Sequence, residues 1–106
     1  MSGILDGINI LDLSRILAGP YTAQMLSDLG ANVTKIEAPW GDDTRGWGPP
    51  FTTDFDGERV AAYFLCCNRG KSIIQMNLKE EKQRLIEMIA DADVVLENFK
   101  PGTLER

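Results

Sequence analysis

Four short runs of β-branched and apolar residues, spaced by helix-like stretches, constrain this chain more than any other feature. "INILDL" (Ile8 to Leu13), "NVTKI" (Asn32 to Ile36), "SIIQM" (Ser72 to Met76) and "DVVLEN" (Asp93 to Asn98) each have the length and side-chain type of a strand, and Val94 to Leu96 reads as buried. Between the first two lies "SRILAGPYTAQMLSDLG". Pro20 there suits the first turn of a helix, Gly30 suits its left-handed stop, and Tyr21, Met25 and Leu29 repeat at helical spacing. Between the last two runs, Lys79 to Ala92 sets Leu85, Ile86 and Ile89 on one helical face, with Glu80, Glu81, Arg84 and Glu87 largely opposite. Strands alternating with helices predict an α/β fold: a Rossmann-like parallel sheet of about four strands with helices on both faces. It opens on a β-α-β unit whose crossover is expected to be right-handed.

Two segments fit the alternation less well. Ala38 to Glu58, "APWGDDTRGWGPPFTTDFDGE", is broken every few residues by Gly or Pro and reads as a long flap. Loops beyond about 12–15 residues inside a compact domain are uncommon and usually functional or mobile. Val60 to Cys67, "VAAYFLCC", reads as a short apolar helix, with a strand as the alternative.

Length and charge exclude several classes of function. A chain of 106 residues, 43% hydrophobic and 25% charged, is an ordinary globular composition for one domain, taken as residues 1–106. No apolar run approaches the ~20 residues that span a bilayer, and "MSGILDGINILDL" lacks the basic-then-apolar layout of a secretion signal. The expectation is a cytoplasmic protein without a membrane partner. A net charge of -5 repels a polyphosphate backbone, so no nucleic-acid partner is expected. Histidine is absent, which removes the commonest general base and metal ligand. Cys66 and Cys67 are adjacent, a spacing that suits neither a disulfide nor zinc and points instead to one or both thiols buried on an apolar segment.

In open α/β sheets ligands bind beyond the carboxyl ends of the strands. Arg15, Lys35, Arg45, Arg69, Lys71, Lys100 and Arg106 all lie in or beside the turns, although the whole chain is acidic. A phosphorylated ligand would account for that bias, because helix-start N–H groups and a few cations make an anion site without a basic surface. A dinucleotide is the nearest rival, with Glu37 placed to take a ribose hydroxyl. The first turn, however, lacks G-x-G-x-x-G, and Ile16-Leu17 would block the backbone's approach to a pyrophosphate. Asp42-Asp43, in a glycine-flanked loop, reads as turn-forming and solvated. Asp12, on the first strand, is expected to be buried beside a cation in a structural role.

"LDGINILDLSRILAGPYTAQMLSDLGANVTKIEAPWGDDTRGWGPPF", "NRGKSI" and "ADVVLENFKPGTLER" together resemble the opening of the class III (CaiB/BaiF-type) coenzyme A transferases, a family that also holds the 2-methylacyl-CoA racemases. The resemblance runs from Leu5 to Arg106, and its "GDDTRGWGPPF" block is more like transferases for dicarboxylic or small hydroxy-acid thioesters. It implies that coenzyme A or an acyl-CoA is bound as substrate rather than as a permanent cofactor. Arg15, Ile16, Leu17 and Ala18 would lie against the nucleotide and pantetheine arm. Met76, Asn98, Phe99, Lys100 and Arg106 would complete the walls, with Arg69 and Lys71 among the cations near the phosphates. Two positions depart from the family pattern: Ala38 stands where a basic residue often follows "KIE", and Lys71 stands where Lys-Arg often precedes "SI". The resemblance further implies a small carboxylic acid as second substrate, an interlocked homodimer, and a nucleophilic aspartate and glycine-rich lid beyond residue 106, so that this chain alone is inactive and self-associates through uncovered apolar surface. The alternatives are a racemase-type fragment and a non-catalytic nucleotide-binding or assembly module.

Overall fold

The structure, a computed structural model, describes residues 3–53 and 57–102. Strands β1 (Asn9–Asp12), β2 (Asn32–Glu37), β5 (Ser72–Gln75) and β6 (Val94–Leu96) form one parallel sheet in the order β5-β2-β1-β6. The register places Asp12 beside Lys35 and Leu96, and Glu37 beside Gln75, so the carboxyl ends form one rim. Helix α1 (Ala18–Asp28) connects β1 to β2, and helix α3 (Lys82–Asp91) connects β5 to β6. The expected α/β sheet with helices on both faces is what forms.

Strand alternation sorts the core into two layers. Leu11, Leu13, Ile36, Met76 and Leu85 cluster on the α3 face, with Met88, Ile89 and Phe99 packed against them. Ile10, Ala23, Ala31 and Val33 cluster on the α1 face. Gly30 ends α1 as expected: it sits at φ +106°, its N–H donates to the Ser27 carbonyl (3.0 Å), and the Ala31 N–H donates to the Leu26 carbonyl (3.1 Å). A Cβ at Gly30 would strike the Asp6 carboxylate.

Four expectations need correction. Tyr21, Met25 and Leu29 mark α1 but not its buried face, since all three are half-exposed. Ala23 joins the sheet-side core with Leu26 packed against it, a small residue letting the helix lie close, while the buried Gln24 donates to the Cys66 carbonyl (2.8 Å) and accepts from the Arg69 N–H (2.6 Å). Ile86, expected inward, is half-exposed, whereas Leu85 is buried. β6, expected to be buried, is an edge strand with Val94 exposed and the next two residues partly covered.

The fourth concerns the flap, whose described residues carry regular structure. It holds a single 3-10 turn (Asp43–Gly46) and strand β3 (Phe51–Thr53), antiparallel to β4 (Arg59–Ala61). Helix α2 (Ala62–Leu65) follows directly, so "VAAYFLCC" is first strand and then helix. Val60, Ala61 and Phe64 are buried, and Trp47 meets Tyr63 edge-to-face with ring centroids 5.4 Å apart.

Leu85→Ala should lower the unfolding free energy by about 2–5 kcal/mol, whereas Ile86→Ala should cost less than about 1 kcal/mol. Urea denaturation of both variants distinguishes the faces of α3; equal losses would show that the helix is rotated from this arrangement.

Candidate functional site

The chain runs from β2 outward to β5 and then returns to the far side of β1 as β6, so the strand order reverses between β1 and β6. A doubly wound sheet opens its ligand crevice at that switch point, between the two loops that leave the strands. Here those loops are Leu13–Leu17 and Glu97–Gly102. They are clasped together: the Arg15 N–H donates to Asn98 Oδ1 (3.1 Å), and Asn98 Nδ2 donates back to the Arg15 carbonyl (2.8 Å).

The α1 face of the sheet explains how the first loop is held. Period-two alternation puts Asp12 on the side of Ile10, and Lys35 and Glu37 on the side of Val33. That face is therefore apolar low on the strands and charged at the rim. Each charge meets an opposite one. Lys71 Nζ lies 2.8 Å from Asp12 Oδ2, both side chains 0% exposed. Lys35 Nζ lies 3.1 Å from Asp42 Oδ2, both 1% exposed. Arg45 grips the buried Glu37 with two hydrogen bonds, Nε to Oε2 (2.8 Å) and Nη2 to Oε1 (2.7 Å).

These pairs also fasten backbone. Lys71 Nζ donates to the Pro20 carbonyl (3.0 Å) and Asn68 Oδ1 (2.8 Å) as well as to Asp12, which uses all three ammonium N–H groups. Burial pulls the Lys71 ammonium below the usual lysine range, and the Asp12 carboxylate opposes that pull. Asp12 Oδ1 also accepts from the Ser14 N–H (3.0 Å) and the Ser14 hydroxyl. Lys35 Nζ donates to the Ser14 carbonyl (3.0 Å), and the Ile16 N–H donates to Asp42 Oδ2 (3.2 Å). Ile16 has φ +74°, the left-handed region that a β-branched residue rarely enters.

The residues expected to bind the ligand divide into three groups. Arg15, Ile16 and Leu17 on the first loop and Ala18 at the start of α1, with Asn98, Phe99 and Lys100 on the second loop, flank the switch point of the sheet. Arg15 and Lys100 are exposed there; the carboxylate of Asp43 is 3.9 Å from Arg15, too long and too solvated to hold it strongly. Asn98 directs its amide at the Arg15 peptide, and Phe99 packs on the α3-side core. Lys71 is enclosed, and Met76 is part of the core at 1% exposure. Arg69 pairs with Asp28 (2.6 Å) at the far end of α1, about 16 Å along an 11-residue helix from the first loop. Arg106 lies outside the described residues.

Four of the seven turn cations, Lys35, Arg45, Arg69 and Lys71, reach carboxylates of this chain. The reading of Asp42 as solvated is corrected: it is buried, and its Oδ1 accepts from the Thr44 N–H (3.0 Å) and hydroxyl (2.8 Å) at the start of the 3-10 turn. Asp12 is buried beside a cation as expected. Of the adjacent thiols, Cys67 is buried and Cys66 exposed, and burial, then Cys66, pushes Cys67 up to about 11. Such a thiol is no nucleophile at neutral pH. An open groove of about 660 Å³ lies elsewhere, along edge strand β5, lined among others by Trp40, Arg59, Leu65 and Ile73.

A family model described as CoA-transferase family III matches residues 5–106. The chain belongs to that family. Among similar proteins, the succinate–glutarate CoA-transferase of Agrobacterium fabrum is 50% identical over 106 residues, which is 96% of this chain and 26% of the relative. The succinyl-CoA:mesaconate CoA-transferase of Haloarcula marismortui is 45% identical, over 98% of this chain and 26% of its own length. A crystal structure of a CaiB/BaiF family protein from Brucella suis superposes with a TM-score of 0.95 at 51% identity, over 99% of this chain and 28% of that one. This member of CoA-transferase family III thus spans about a quarter of the relatives it matches.

Burial works to raise the Asp42 carboxyl, but the Thr44 hydrogen bonds and the Lys35 charge outweigh it and hold the group below its ordinary 3.8. A folded value below the unfolded one means that the stabilisation is complete above the ordinary value and is lost as pH falls through the folded one. Urea midpoints should therefore hold steady on mild acidification and drop below the carboxylate range. In Asp42→Asn that acid limb should be shallower; an unchanged limb would assign the acid loss to other groups.

Proposed function

We propose that this chain is the coenzyme A-binding part of a class III CoA-transferase, which moves CoA from an acyl-CoA to a carboxylic acid through an aspartyl anhydride. The observation that carries this reading is the switch point of the sheet, where Arg15 and Lys100 stand exposed on two loops clasped by Asn98. A guanidinium offers paired donors to phosphate oxygens, and an ammonium offers a compact point charge. Ile16, Leu17 and Phe99 supply apolar surface for the adenine and pantetheine portions. Arg69, Lys71, Met76 and Arg106 belong to the wider set assigned to CoA by family resemblance; for Lys71 and Met76 that contact requires the enclosed side chains to open.

The chemistry needs a carboxylate free to attack. In the proposed cycle an aspartate oxygen adds to the thioester carbonyl, the C–S bond breaks, and CoA leaves as thiolate from a mixed anhydride. The thiolate would then attack the aspartyl carbonyl of that anhydride, releasing the donor acid and leaving an aspartyl-CoA thioester; the acceptor carboxylate would displace CoA thiolate from it to form a second anhydride, and attack of the thiolate on the acceptor's carbonyl would give the new acyl-CoA and free the aspartate. Asp12, Glu37 and Asp42 are buried and bound to cations, so none of them is free for that attack. We assign the nucleophile to residues beyond 106. Relatives named for succinate, glutarate and mesaconate support small dicarboxylic acids as the substrate class. In keeping with the family expectation, the full enzyme is assigned to the cytoplasm as a homodimer without a resident cofactor.

Calorimetric titration with coenzyme A and with its 3'-dephospho form tests the binding role. A charge-assisted contact is worth about 1.5–3 kcal/mol, so the dephospho form should bind roughly tenfold or more weakly, and Arg15→Ala or Lys100→Ala should narrow that gap. Equal affinities that neither substitution changes would remove the phosphate contact and, with it, this reading of the switch point.

A further inference from the structure

Ile16 raises a question that ligand contact alone does not answer. A non-glycine residue in the left-handed region costs on the order of 1–3 kcal/mol and persists only where its surroundings over-determine it. The surroundings here are specific. Every polar main-chain group from the Ser14 N–H to the Ile16 N–H is bound by a side chain: Asp12 takes the Ser14 N–H and Lys35 the Ser14 carbonyl. Asn98 takes both groups of Arg15, and Asp42 takes the Ile16 N–H. Asp12, Lys35 and Asn98 act before the residue with positive φ. Asp42 alone holds the N–H of that residue.

Asp42 also reaches the flap. Its Oδ2 faces the Ile16 N–H and the Lys35 ammonium, while its Oδ1 caps the 3-10 turn through Thr44. Its own N–H donates to Glu37 Oε2 (3.1 Å), the oxygen that also accepts from Arg45 Nε. One buried carboxylate thereby joins the loop after β1 to the loop after β2, which leads on to Trp47. A neutral amide cannot do the same. Whichever way Asn is turned, one side presents an NH2 either to Lys35 and the Ile16 N–H or to the Thr44 N–H, a donor facing donors.

We propose that Asp42 is a positioning residue for the ligand loop: it fixes Ile16 in the left-handed conformation, sets the direction of Arg15, and couples that loop to the flap. The inference rests on the coenzyme A reading for what the loop receives. The coupling itself rests on the hydrogen bonds alone. Asp42 touches no reacting atom and acts only through Ile16 and the 3-10 turn.

The test reads the amide and the ligand separately, on the 106-residue chain. Hydrogen exchange at the Ile16 amide should be slow in the wild type, fast in Asp42→Ala, which leaves no side-chain acceptor at that position, and still slow in Thr44→Val, which removes only a hydroxyl on the Oδ1 side. Calorimetry with coenzyme A should show Asp42→Ala binding about tenfold more weakly, equivalent to about 1.4 kcal/mol. Thr44→Val should lose less than Asp42→Ala. If Asp42→Ala fails to fold, Lys35→Met/Asp42→Ala leaves no unpaired buried charge and should still show the fast Ile16 amide.

Slow exchange at Ile16 in either Asp42 variant overturns the positioning role, whether or not coenzyme A binds. Wild-type affinity in Asp42→Ala overturns its relevance to the ligand. Absence of coenzyme A binding in the wild type, with the exchange pattern as expected, overturns the coenzyme A reading and leaves the positioning role standing.

Discussion

Burying charge at the rim of a small sheet is the constraint on which the rest of this structure depends. An isolated charge taken out of water costs several kcal/mol even after relaxation, so the side chains of Asp12, Lys35, Glu37, Asp42 and Lys71 can be enclosed only if each finds a partner. They do so as three ion pairs, with Arg45 closing the third from a partly exposed position. The partners come from different parts of the chain: β1 with the segment before β5, and β2 with the loop that follows it. Satisfying these charges therefore fixes where the loops go. Among the described residues, no fully enclosed side-chain polar atom lacks a hydrogen-bond partner, which is the condition for such a network to add order rather than strain.

That network shapes the rim without occupying it. Because Lys35 and Lys71 are engaged inside, the exposed positive charge at the switch point comes from Arg15 and Lys100 on the two flanking loops, beside the exposed Glu97 and Asp43. The inner charges determine the path of the first loop, and the outer ones stay in solvent. The acidic side chains nearest the sheet are neutralised by the inner lysines and Arg45.

Much of the fold was legible in the sequence. The strand runs, Pro20 in the first helical turn and the Gly30 stop follow local rules that tertiary context did not override. The faces of the helices were less so. Tyr21, Met25 and Leu29 repeat at the right spacing, yet α1 meets the sheet through Ala23, because close approach favours small residues over large ones. The strands of the flap escape sequence reading because a short antiparallel pair flanked by Gly and Pro carries no long apolar run. The two loops at the switch point follow from strand order. The direction of each cation does not, because a lysine beside a turn looks the same in sequence whether it faces water or a buried carboxylate. One signal was available: Lys35 and Glu37 alternate on the same side of β2 as Val33, in a sheet expected to be covered on both faces. Charges at such positions need internal partners, and Asp42 is among the nearest in the chain.

The pairing is tested most directly by a double-mutant cycle on the pair whose side chains are both fully enclosed, Asp12 and Lys71. Unfolding free energies of Asp12→Asn, Lys71→Met and the double variant should show each single change costing about 3–5 kcal/mol. The double should cost clearly less than the sum, because it leaves no lone charge behind. A double variant whose loss equals the sum of the two singles would mean that the charges are buried independently of one another, and the rim would then need a different explanation.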